Sequence, residues 1–61
     1  MTKITYWLQL SKLSGEHKKC LCKVDNVNRG IEAAKVRHLP SGCKHWVGEY
    51  HNGILHKQHD V

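Results

Sequence analysis

The sequence predicts an α+β fold: a small antiparallel sheet in the order β-β-α-β-β, with one helix packed on one of its faces. Three observations predict it. Two early segments alternate apolar and polar residues at period two, the spacing of a half-buried strand. A stretch with a helix cap and helical spacing follows them. An Asn-Gly pair then splits the C-terminal third into a hairpin. The chain has 61 residues, which make one small domain, residues 1–61.

Residues 3 to 13 read as the first strand. Ile4, Tyr6, Leu8 and Leu10 alternate with Thr5, Trp7, Gln9 and Ser11, and the first set is the expected core face. Ser14-Gly15-Glu16 is a turn signal. The second strand runs from His17 to Val24, with Cys20, Cys22 and Val24 on one face and Lys19, Leu21 and Lys23 on the other. A register that sets Leu10 opposite Cys20, Leu8 opposite Cys22 and Tyr6 opposite Val24 joins the apolar sets. A slip by one residue would bury Lys19 and Lys23 instead. The favoured register leaves Trp7 beside Lys23, Gln9 beside Leu21 and Ser11 beside Lys19 on the outward face.

Asp25-Asn26 offers a side-chain cap for the first turn of a helix. The helix is expected from Val27 to His38, with Val27, Ile31 and Ala34 as its buried stripe. Gly30 costs it roughly 1 kcal/mol relative to Ala but lets it lie close on the sheet. Pro40-Ser41-Gly42 ends it. Residues 43 to 51 read as the third strand, with Trp46, Gly48 and Tyr50 on one face and Cys43, His45, Val47, Glu49 and His51 on the other. Both residues of Asn52-Gly53 tolerate positive φ, so Ile54 to Gln58 returns as a short fourth strand. The tail His59-Asp60-Val61 is expected to fray.

Composition narrows the function. The apolar share is 39%, there is no Phe, and the mean hydropathy is −0.59, so the core must be small. A chain of this length buries only about 60% of the surface its unfolded form exposes. An enzyme pocket takes about 300 Å³ or more of walled space, which argues against an enzyme. Ten Lys and Arg against five Asp and Glu give +5 and a pI near 9.4, a balance that favours anionic partners. No segment approaches the ~20 apolar residues that cross a bilayer, so no membrane partner is expected. No secretory signal opens the sequence. Three cysteines cannot all pair within one chain, and with no such signal they point to a reducing cytoplasm.

Two constellations could carry chemistry. Cys20, Cys22, Cys43 and His45 supply the residue types of a structural Cys3His zinc site, which would add folding energy to a small core. The spacing argues against it, because zinc usually takes Cys-x2-Cys in a tight turn. Side chains at i and i+2 of a straight strand stand about 6.5–7 Å apart. Buried thiols acting as small hydrophobes are the plainer reading, so no cofactor is expected. No Cys-His-acid pattern suggests a cysteine nucleophile.

The second constellation is Trp7, Lys19, Leu21 and Lys23, extended by Lys12, on the sheet face away from the helix. Cations around an aromatic platform grip single-stranded nucleic acid. The same surface suits a protein interface, with a partner or a second copy of the chain. The bland reading is a solvated face with Trp7 resting on the Lys23 stem. Arg29, Lys35 and Arg37 on the helix form a second basic patch. His45, His51, His56 and His59 gather in the C-terminal third. Glu49 opposes His56 in the expected hairpin, a modest cross-strand pair, and metal capture there would be nonspecific.

Two strands ending at Cys22-Lys23-Val24 lead through Asp25-Asn26 into a helix carrying Ile31-Glu32-Ala33-Ala34-Lys35. This layout resembles small proteins of phages and mobile elements, including some anti-CRISPR proteins and other host-takeover factors. The resemblance spans residues 4 to 39 and is one of shape. It implies a stoichiometric binder that occupies a host protein or nucleoprotein complex. The expected function is therefore a basic, non-enzymatic binding protein, an inhibitor or modulator acting by surface contact. The alternatives are a direct nucleic-acid binder and a small zinc-stabilised module.

Overall fold

The computed structural model describes residues Met1–Val61. Its elements are β1 (Ile4–Lys12), β2 (His17–Val24), α1 (Val27–Lys35), β3 (Cys43–His51) and β4 (Ile54–Asp60). The four strands form one antiparallel sheet in the spatial order β2-β1-β3-β4. The expected α+β architecture, one helix on a four-stranded antiparallel sheet, is present. No helix is long and apolar enough to cross a membrane.

The central pair β1–β3 runs without irregularity from Ile4↔His51 to Lys12↔Cys43. Its parity sets both faces. Tyr6, Leu8 and Leu10 share the helix side with Glu49, Val47 and His45; Thr5, Trp7, Gln9 and Ser11 share the opposite side with Tyr50, Gly48, Trp46 and Lys44. Leu8, Val47 and Ala34 are the buried centre under the helix, with Tyr6, Leu21, Cys22, Val24, Val27 and Ala33 packed around them.

The edge strands break the simple alternation. Tyr6↔Val24, Trp7↔Lys23 and Leu8↔Cys22 pair as expected, but Gln9 then pairs with Cys20, Leu10 with Lys19 and Ser11 with His17. Leu21 and Lys18 are thus extra residues of β2, each at a bulge. A bulge leaves one residue unpaired and re-aims its neighbours. Leu21 turns inward with Cys22 against the core, and Cys20 moves to the opposite face beside Gln9, where it is exposed. The expected register is therefore right only from Tyr6 to Leu8. A third bulge makes His56 the extra residue of β4, between Tyr50↔Leu55 and Glu49↔Lys57, so Glu49 opposes Lys57 and not His56.

Two element ends also differ from expectation. The helix stops at Lys35, with Val36 as C-cap, three residues before His38. Beyond the cap the chain tightens, the Arg37 N–H donating to the Ala34 carbonyl. The helix begins as its sequence suggests: the Asn26 side chain accepts from the Arg29 N–H at 2.9 Å. Its fully buried positions are Gly30 and Ala34, so the stripe is turned away from Ile31. Gly30 explains this: a Cβ there would stand 2.4 Å from Val47 Cγ2, so only glycine lets the helix come this close. The tail does not fray: β4 runs on to pair His59 with Val47 and Asp60 with Trp46. Asn52 and Gly53 both have positive φ, 54° and 83°, and make the expected tight turn.

Candidate functional site

The helix covers one face of the sheet, yet the other face is also buried at its middle. Gln9 is 1% exposed, and Ser11 and Trp46 are each 4% exposed. Nothing packs over them as a layer. The two edge strands shelter them instead: His17 of β2 and Leu55 and Gln58 of β4 line one trough of about 290 Å³ together with Gln9, Ser11, Trp46 and Tyr50. Bulged edges twist strongly, which lets β2 and β4 curl over this side.

A hydrogen-bond network holds the trough floor. Gln9 Nε2 donates to Tyr50 Oη at 2.8 Å. Gln9 Oε1 accepts from His17 Nε2 at 2.8 Å and from the Cys20 thiol at 3.4 Å. Trp46 Nε1 donates to Ser11 Oγ at 2.7 Å. The His17 ring stands edge-on to Trp46, centroids 6.2 Å apart, a favourable aromatic geometry. This network satisfies the polar atoms that the curl takes out of water. His17 and Cys20 thus meet at one oxygen of Gln9.

A second depression of about 400 Å³ adjoins the first through Tyr50 and is lined also by Thr5, Trp7, Cys20 and Gly53. Trp7 is half-buried at its wall. Lys23 pairs with Trp7 across β1–β2 and is exposed. An aromatic wall beside an unpaired cation is therefore present on the helix-free face, as the sequence suggests. The rest of the expected surface is dispersed. Leu21 packs against the core, and Lys19 pairs with Leu10 toward the helix side. Lys12 is held by Glu16 at 3.0 Å.

The helix patch is present only in part. Arg29 is engaged by Glu32 at 3.3 Å, while Lys35 and Arg37 are exposed. Of the ten Lys and Arg, only Lys12 and Arg29 are in ion pairs. The remaining eight carry no ion-pair partner.

The cysteine zinc site does not assemble. Cys20 lies on the helix-free face and Cys22 on the helix face because the Leu21 bulge separates them. His45 is 7% exposed, opposite Leu10. Its pKa is lowered, first by burial and then by the Arg37 charge near it, so it stays neutral at neutral pH. The ligand atoms that do come together belong to Glu49, His51 and His56, all within 4.8 Å of one another. This group can hold a metal ion and stands on the helix side of the β3–β4 edge.

Sequence reasoning missed the trough floor. Gln9 and Ser11 sit in a strand where polar residues read as solvent-facing. The available signal was Gly48 between Trp46 and Tyr50, since a glycine inside a strand often marks a close approach. A Cβ at Gly48 would meet Gln9 Nε2 at 2.4 Å.

The chain matches no protein-family model, no curated protein and no solved structure.

Proposed function

We propose that this protein is a small, basic, non-enzymatic binder that acts by surface contact through the helix-free face of its sheet. Its partner would be a host protein or nucleoprotein complex, and the protein an inhibitor or modulator of it, in the manner of phage and mobile-element factors. The observation that carries the reading is Trp7, set beside Lys23 at the wall of a depression that also takes in Thr5, Tyr50 and Gly53. An aromatic anchor next to a hollow is the usual centre of a contact surface. The unpaired lysines and arginines around it favour a partner with acidic or phosphate-bearing surface. A cytoplasmic setting belongs to the same reading, because it suits three free thiols.

Direct nucleic-acid binding is the second reading, favoured by the stacking surface of Trp7 close to a cation. Zinc on Cys20, Cys22, Cys43 and His45 is not part of either, for the separation already described.

Paired affinity captures, with wild-type protein and with a Trp7→Ala/Lys23→Glu variant, test the proposal in host extract with and without nuclease. The expected result is a protein partner kept by the wild type under nuclease and lost by the variant. A partner lost on nuclease treatment, with salt-dependent binding of the pure protein to a labelled oligonucleotide, would favour the second reading. Equal capture by both proteins would remove this face from the function.

A further inference from the structure

A cluster of histidines around one carboxylate stands apart from the contact surface just described. Glu49 and His51 lie on the helix side of β3, and His59 enters the same side from β4, paired with Val47. His56, the unpaired residue at the β4 bulge, joins them. Its imidazole stacks on that of His51, with ring centroids 4.0 Å apart and planes 13° apart. His51 Nε2 stands 2.6 Å from Glu49 Oε2, and His59 Nε2 stands 3.0 Å from Glu49 Oε1.

We propose that Glu49, His51 and His56 form a binding site for a zinc-class divalent cation, with His59 holding the second carboxylate oxygen. Two imidazoles and one carboxylate are the donor set that borderline cations such as zinc prefer, leaving a fourth position for water. Magnesium and calcium favour all-oxygen sites. The ligand atoms lie within 4.8 Å of one another. Tetrahedral zinc, with Zn–N of about 2.0–2.1 Å, sets neighbouring donors about 3.4 Å apart. Side-chain rotation is the motion that would close the gap, and the site lies at the surface: His51 is half-buried and His56 exposed.

As the cation enters, the short His51–Glu49 contact gives way and leaves Nε2 and Oε2 as donors, each imidazole binding as a neutral ring. His59, still donating to Oε1, orients the carboxylate as an outer partner. The cation would tie β4 to β3 across the edge of the sheet. That edge is otherwise held by its ladder, by the Glu49–His59 contact and by the His51–His56 stack.

Zinc titration of the full chain, prepared without an affinity tag, tests this by calorimetry and by the histidine ring signals in NMR. The expected result is one cation per chain, with His51 and His56 signals shifted and His45 unmoved. His51→Ala and Glu49→Gln should each weaken binding at least about tenfold, and His59→Ala about tenfold, the usual cost of losing an outer partner. Substituting all three cysteines by serine should leave binding unchanged. Cobalt(II) in the wild-type protein decides the ligand type independently: an intense near-ultraviolet thiolate band would show that the cysteines hold the metal and overturn the proposal. Unchanged affinity in His51→Ala and His56→Ala would overturn it as well.

Discussion

The two faces of this sheet are both buried at the middle, but by different means. Under the helix, Leu8 and Val47 are fully buried among Ala34, Val24 and Val27, and apolar area removed from water does the work. On the helix-free face, Gln9, Ser11 and Trp46 are as deeply buried with no second layer. There the two bulged edge strands flank the floor, and the Gln9–Tyr50, His17–Gln9 and Trp46–Ser11 hydrogen bonds offset its desolvation. One face is closed by packing and holds the fold. The other is closed by a network with polar groups near solvent, and it is the face proposed above for contact with a partner.

Replacing neighbouring residues on opposite faces breaks the comparison most directly. Leu8→Ala leaves a cavity in the apolar centre and should cost about 2–5 kcal/mol, enough to unfold much of so small a protein. Gln9→Ala should cost less, about 1–3 kcal/mol, because Tyr50 and His17 reach water and recover partners there. Urea titration followed by Trp fluorescence measures both. Equal losses would mean that the two faces are held alike.

The glycines sharpen it further, since each face has one at its tightest point. Alanine at Gly30 would drive a methyl against Val47 and Val24; alanine at Gly48 would drive one against Gln9, Trp46 and Tyr50. Each should cost about 1–3 kcal/mol from overpacking. Gly30→Ala recovers roughly 1 kcal/mol of helix propensity, so it should be the milder. The faces then separate by rescue. Val47→Ala should couple favourably with Gly30→Ala, and Gln9→Ala with Gly48→Ala, by about 0.5–3 kcal/mol in double-mutant cycles. Absence of coupling in either pair would show that the close approach is relaxed by backbone movement and not at the named side chain.

The same division explains how much was legible in the sequence. The centre of the sheet was: Ile4, Tyr6, Leu8 and Leu10 alternate cleanly, and β3 repeats the parity from Cys43 to His51. The cap at Asn26 and the turn at Asn52-Gly53 announce themselves by side-chain chemistry and by tolerance of positive φ. The bulges do not. In β2, the order Lys19-Cys20-Leu21-Cys22-Lys23 alternates equally well with or without an inserted residue, and only the demand of the partner strand chooses. Once Leu21 turns inward, Cys20 and Lys19 exchange sides, and the contact surface expected from strict alternation shrinks to Trp7 and Lys23. The Glu49 cluster was legible only in part: the expected hairpin already set His56 against Glu49 on one face, whereas His59 reaches that face only through the β4 bulge.

The smallest expected effect is one of pH, and it also divides by position. Burial, with Arg37 beside it, holds the His45 pKa below 6.5 in the folded chain. Between that lowered value and about 6.5 the unfolded chain binds the extra proton, so stability rises with pH across the interval. The contribution is present above about 6.5 and is lost as pH falls through the folded value. Glu49 shifts in the same direction at more acid pH: hydrogen bonds from His51 and then His59 hold its carboxyl below 4.5, against a smaller opposing effect of burial. Its contribution is present above 4.5 and is lost as pH falls through the depressed value. Thermal melts at stepped pH should therefore fall in two stages. His45→Gln should flatten only the upper stage and Glu49→Gln only the lower. An upper stage left intact by His45→Gln would mean that another group buried on folding carries it.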